Sequence, residues 1–171
     1  MDPIYVTGHR NPDTDSIVAA IAYAALRNAL GDWEYVPACL GHISDSVFLL
    51  KLTPGLDPRI FEMLSVMGYK GIVIEAFGLG GVNVLHEGLD GIRTALSRDI
   101  SVVVTTQCLY DSADLGVYQV GKKLLDLGVI QGRDMTSEAA MTKLMWAIGQ
   151  GMNRRQIEAL FKRNLAGEIT V

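Results

Sequence analysis

Cysteine is scarce in this sequence: Cys39 and Cys108 are the only two in 171 residues. They lie far apart without paired spacing, so nothing points to a disulfide-stapled secreted scaffold or a zinc site, and a reducing cytoplasm fits best. Long apolar runs are also missing. None approaches the roughly 20 residues of a membrane-spanning helix, and the opening Met1-Asp2-Pro3 has no charged leader before an apolar segment, so neither membrane insertion nor export is expected. Positive charge is in deficit, with 19 Asp+Glu against 15 Lys+Arg and a formal net charge of -4. That balance argues against nucleic acid as a partner, because phosphate binding needs clustered cations. There are no internal repeats, no low-complexity tracts and no Ser/Pro-rich linker, which makes residues 1–171 one expected domain. What is present is an ordinary globular composition, 49% hydrophobic and 20% charged. A chain of this length buries roughly 70% of its unfolded surface and needs no disulfide or structural metal to do so.

Short apolar runs alternate with helical patterns. Ile4–Thr7 reads as a buried strand stopping at Gly8, and Asp15 to Leu30 as a helix ending on Gly31. Tyr35–Leu40 reads as an edge strand, because Pro37 lacks an N–H. Val47–Leu52, Ile72–Glu75 and the β-branched run Ser101–Thr105 read as further strands. Helices are expected after Asp57-Pro58 to Gly68, from Leu85 to Leu96, Leu115 to Leu127, Thr136 to Gln150 and Arg154 to Asn164. Asn153 and Gln156 form a capping-box variant ahead of the last. Strands that are apolar on both faces and separated by helices predict a three-layer αβα fold with a parallel sheet of about five strands. Its expected order is flavodoxin-like or Rossmann-like, 2-1-3-4-5.

Gly8-His9-Arg10-Asn11-Pro12-Asp13-Thr14-Asp15-Ser16 follows the first strand directly and opens a helix. One imidazole and two carboxylates within seven residues suit a hard divalent ion such as Mn2+ or Mg2+. An aspartate that merely caps the helix explains the same residues. The motif resembles the amino terminus of manganese-dependent, family II inorganic pyrophosphatases of the DHH phosphoesterase superfamily, over residues 1 to about 45. That resemblance implies metal ligation by His9, Asp13 and Asp15. It also implies further carboxylates and an Asp-His-His triplet, and no such triplet occurs in the sequence.

From residue 47 onward a different pattern begins. Leu50-Lys51-Leu52-Thr53-Pro54-Gly55, the run Gly71 through Gly81, Val104-Thr105-Thr106-Gln107-Cys108 and the run Asp134 through Leu144 resemble the carboxyl-terminal domain of bacterial type I, cytosolic L-asparaginases. In that family the nucleophilic threonine and the groups that activate it lie in a larger amino-terminal domain, so no catalytic residue is assigned here. The resemblance implies that the segment Phe77–Asn83, with Gly80, Gly81 and Asn83, lends substrate contacts to a neighbouring protomer. The same glycines are explained by a tight turn after a strand. Gly78-Leu79-Gly80-Gly81 is no dinucleotide fingerprint, because a third glycine and a following acidic residue are not suitably placed. Allosteric members of the type I group use an arginine where Glu75 stands. Cys108 reads as a small buried residue, and Trp146 with its neighbouring methionines as core. Arg154-Arg155 reads as solvated surface, with pairing to a nearby carboxylate as the alternative, and His42 and His86 as loop or surface residues.

Taken together, the two resemblances describe a chimera joined near Asp45-Ser46, and such complete retention of both patterns favours deliberate construction. The leading expectation is a folded domain of hydrolase ancestry without efficient turnover and with no required cofactor. The alternatives are an asparaginase-related domain that acts with a partner, and a weak metal or phosphate site with residual pyrophosphatase-like activity. A homo-oligomer and a small-molecule ligand, L-asparagine or phosphate, are the implied partners.

Overall fold

The run Val102-Val103-Val104 has no polar face, and the structure buries all three side chains. A strand of that kind is stable only with helices on both sides of its sheet. In the computed structural model, which describes residues 4–6, 31, 35–37, 43–81, 86–108, 110–165 and 167–170, this is what surrounds it. The strands are β1 (Ile4–Val6), β2 (Tyr35–Pro37), β3 (Val47–Lys51), β4 (Gly71–Ala76), β5 (Ser101–Thr106) and β6 (Ile130–Gln131). The helices are α1 (Ile60–Val66), α2 (His86–Ser97), α3 (Gln119–Asp126), α4 (Ser137–Gly149) and α5 (Arg154–Phe161).

The sheet runs β3-β4-β5-β6, with every pairing parallel. Its register places Val47 opposite Gly71, Gly71 opposite Ser101 and Val103 opposite Ile130. β1 and β2 pair with each other in parallel as a separate two-stranded sheet. The expected single sheet of about five strands in order 2-1-3-4-5 is therefore corrected to four strands in sequential order. Two physical causes stand out. The chain entering β3 bonds to a helix, Ser44 N–H donating to the Met145 carbonyl at 3.0 Å. And β6 is a two-residue strand, too short to show an apolar run.

Alternate residues of the central strands feed two cores. Ile72, Ile74, Val102 and Val104 join Phe61 and Leu64 of α1, Ile92 and Ala95 of α2 and Leu124 of α3. Val73, Val103 and Ile130 join Leu144 and Ala147 of α4 and Ile157, Leu160 and Phe161 of α5. Close contact of α4 with the sheet depends on Gly71, where an added Cβ would meet Ile148 Cδ1 and Leu144 Cδ2 at 2.8 Å each.

Helix ends follow their local chemistry. Thr136 caps α4 by accepting the Ala139 N–H at 3.2 Å, and Asn153 with Gln156 forms a complete capping box on α5. Asp57 lies ahead of α1 and does not cap it. Its Oδ1 accepts the Arg59 N–H at 2.9 Å in a turn that precedes the helix. Arg154 is half-buried rather than solvated: it donates to the Leu96 carbonyl at 2.5 Å, and its guanidinium lies 3.8 Å from Asp99. A cation there satisfies an open carbonyl at the end of α2. Among the described residues no helix is long and apolar enough to cross a membrane. The helix expected over residues 15–30 lies outside the described residues.

Candidate functional site

In a parallel sheet the carboxyl ends of the strands collect at one edge, where open α/β folds place ligands. Here that edge is tied together by Gln107, the residue after β5. Its backbone N–H donates to the Ala76 carbonyl at 2.9 Å, and its side-chain Nε2 donates to the carbonyls of Leu52 at 2.8 Å and Glu75 at 2.9 Å. Leu52 N–H in turn donates to Glu75 at 3.0 Å. One amide thus joins the ends of β3, β4 and β5. Lys51 and Glu75, opposite each other in the register, stand 3.7 Å apart. Glu75 is thereby engaged by a cation of its own sheet.

β4 leads into a closed turn. Phe77 N–H donates to the Gly81 carbonyl at 2.9 Å, Gly81 N–H returns to the Phe77 carbonyl at 2.6 Å, and Gly80 N–H reaches the same carbonyl at 3.2 Å. Gly80 has φ +99°, and an added Cβ would lie 2.6 Å from Leu115 Cδ2, so both the backbone and the packing require glycine. Gly80 is buried and Gly81 half-buried. The freedom of Gly80 thus serves the turn and its packing against Leu115. Asn83, the third residue implied as a substrate contact, lies outside the described residues.

Among the described residues neither threonine at the end of β5 has a base beside it. The buried Thr105 hydroxyl donates to the Ile74 carbonyl at 3.3 Å and lies 3.2 Å from the Ser137 hydroxyl. Thr106 donates to the Gly78 carbonyl and accepts the Cys108 N–H at 3.0 Å. Activation of a hydroxyl nucleophile needs an adjacent general base, and these partners are carbonyls, a hydroxyl and an amide. Cys108 is exposed, not buried as expected. It lies two residues beyond the last ladder pair of β5, Ala76 with Thr106.

A second polar cluster, absent from the sequence expectations, lies under α4. Lys143 Nζ sits 2.5 Å from Glu168 Oε1, with the two side chains only 5% and 6% exposed. The same ammonium donates to the Arg163 carbonyl at 2.7 Å and stands 5.4 Å from the Phe161 ring centre. Burial pushes the Lys143 pKa down, and the Glu168 carboxylate opposes that shift. The tail is pinned further where Asn164 Nδ2 donates to the Ile169 carbonyl at 2.6 Å and Thr170 N–H donates to Asp134 Oδ2 at 2.8 Å. Trp146, Met141 and Met145 pack against the core as partly buried residues. His9, Asp13, Asp15, Cys39 and His42 lie outside the described residues. Among the described residues no group of three or more His, Cys, Asp and Glu could hold a metal ion.

Comparison with known proteins agrees with this architecture. The sequence pattern of the Glutaminase/Asparaginase C-terminal domain matches residues 46–161. The L-asparaginase of Thermococcus kodakarensis is 41% identical over 128 residues, 75% of this chain and 39% of that protein. A glutamyl-tRNA(Gln) amidotransferase subunit from Methanopyrus kandleri is 39% identical over 133 residues, 78% of this chain and 29% of that protein. The solved structure of the thermostable Thermococcus kodakarensis L-asparaginase superposes with a TM-score of 0.70 at 40% identity, covering 76% of this chain and 39% of that one. L-asparaginase I from Vibrio cholerae gives 0.67 at 30% identity, covering 74% and 38%. The chain thus spans 29% to 39% of the length of these curated relatives.

Proposed function

Because this chain belongs to the Glutaminase/Asparaginase C-terminal domain family, we propose that it is the supporting half of an amidohydrolase that cleaves the side-chain amide of L-asparagine or L-glutamine. In that reaction water adds to the carbonyl carbon, the C–N bond breaks, and a carboxylate and ammonia are released. The nucleophile and its base belong to a separate amino-terminal domain, and this chain contributes the Phe77–Gly81 turn with the segment that follows it. The carrying observation is the carboxyl edge itself: a closed glycine turn gripped by Thr106 and Leu115, beside hydroxyls with no base next to them among the described residues. Without a partner, the chain accordingly turns over no amide. The test is a calorimetric titration of L-asparagine into this chain, into the amino-terminal domain of the Thermococcus kodakarensis enzyme, and into their mixture. Binding confined to the mixture supports the reading, and a mixture that forms no complex overturns it.

A second reading concerns residues 1–45. The family match begins at residue 46, and β1 and β2 pair only with each other among the described strands. We propose that this segment is a fused pyrophosphatase-like unit in which His9, Asp13 and Asp15 offer one nitrogen and two carboxylates to Mn2+ or Mg2+. When bound, such an ion would supply a Lewis acid for phosphate oxygens. Manganese calorimetry on the chain and on a His9→Ala, Asp13→Ala variant tests it. Equal heats would reduce the motif to a helix cap.

A further inference from the structure

The Phe77–Gly81 turn is gripped from outside its own hairpin at two points. On one side Leu115 and Ala113 occupy the space over Gly80. On the other, the Thr106 hydroxyl donates to the Gly78 carbonyl while it accepts the Cys108 N–H. The sheet itself does not depend on this hydroxyl, because Gln107 already joins the strand ends through three main-chain carbonyls. Thr106 closes the ladder opposite Ala76, and its side chain links the turn to the Cys108 N–H. A hydroxyl donates and accepts there through a single oxygen, and a β-branched one holds its rotamer with little freedom.

We propose that Thr106 is a positioning residue that fixes the geometry of the Phe77–Gly81 turn, and thereby sets the affinity for the amide substrate without touching it. This rests on the reading of the turn as a segment lent to the active site. A turn held in one geometry spares the ordering cost that a loose one meets on binding. Loss of the grip therefore weakens ground-state and transition-state binding alike, which raises KM and leaves kcat in place.

Two measurements on the full chain test it. Amide hydrogen exchange, without any partner, is expected to quicken at Gly80 and Gly81 in Thr106→Val and to match the parent in Thr106→Ser. Unchanged exchange in Thr106→Val overturns the grip whatever the function. In the mixture with an asparaginase amino-terminal domain, Thr106→Val is expected to raise KM for L-asparagine about tenfold with kcat within about twofold, and Thr106→Ser to restore it. An unchanged KM, or a serine variant as poor as the valine one, overturns the positioning role. A wild-type mixture without turnover condemns the amidohydrolase reading, and the substrate role of Thr106 with it, while the exchange result still judges the grip separately.

Discussion

Two polar anchors hold chain segments to the sheet, and they are built in opposite ways. At the carboxyl edge Gln107 and Thr106 are half-buried and neutral, and they bind main-chain groups of three strand ends and a turn. Under α4, Lys143 and Glu168 are charged and almost fully enclosed, and they tie the tail to the core beside Phe161. An enclosed charge without its partner is costly, so the second anchor holds the fold together. A neutral hydrogen bond near water contributes little net energy. The first anchor therefore controls geometry more than stability.

The largest expected effect breaks the enclosed pair. Lys143→Met takes the ammonium away from the buried Glu168 carboxylate and is expected to cost about 3–5 kcal/mol in urea unfolding, while Lys143→Met with Glu168→Met returns most of that loss. A double variant as unstable as the single one would mean that the tail needs the charges themselves. Next in size is Gly80→Ala, which forces a side chain into left-handed backbone and against Leu115. It should cost about 1–3 kcal/mol by the same assay, with the loss of exchange protection concentrated in the Phe77–Gly81 turn. Asn153→Ala removes one half of the capping box and is expected to lower stability by about 1 kcal/mol, a calibration lying between the two anchors in chemistry. The smallest effect is at the surface. The Arg59 guanidinium holds the Asp57 carboxyl down to about 2 from its ordinary 3.8. Its folded value lies below the unfolded one, so the contribution is present above about pH 4 and lost as pH falls through 2. A carboxylate titration by NMR should place the Asp57 midpoint near 2, and Arg59→Ala should return it toward 3.8.

From Val47 on, most elements were legible in the sequence, because β3, β4 and β5 are apolar or β-branched runs and α1, α3, α4 and α5 carry a cap or a glycine stop. The misses have local causes. β6 is two residues long, and neither periodicity nor propensity marks a strand of that size. Cys108 reads as buried because cysteine is usually a small buried residue, but the ladder ends at Thr106 and Cys108 stands exposed two residues beyond it. Lys143 and Glu168 lie 25 residues apart, and only the folding back of the tail brings them together. At the edge, the glycines of the turn were visible, whereas the grip of Thr106 on Gly78 spans 28 residues and is a property of the sheet register. The order 2-1-3-4-5 failed because it assumed that apolar strands from both ends of the chain share one ladder, and β1 with β2 forms its own.

The central claim is that this chain supplies scaffold and turn to an amide-cleaving site whose nucleophile lies elsewhere. Ammonia release from L-asparagine tests it most directly, measured for this chain, for an asparaginase amino-terminal domain, and for the two combined. The expected result is release from the combination well above that of either part, and none from this chain alone. Release by this chain alone, or a combination no more active than the amino-terminal domain by itself, would contradict it.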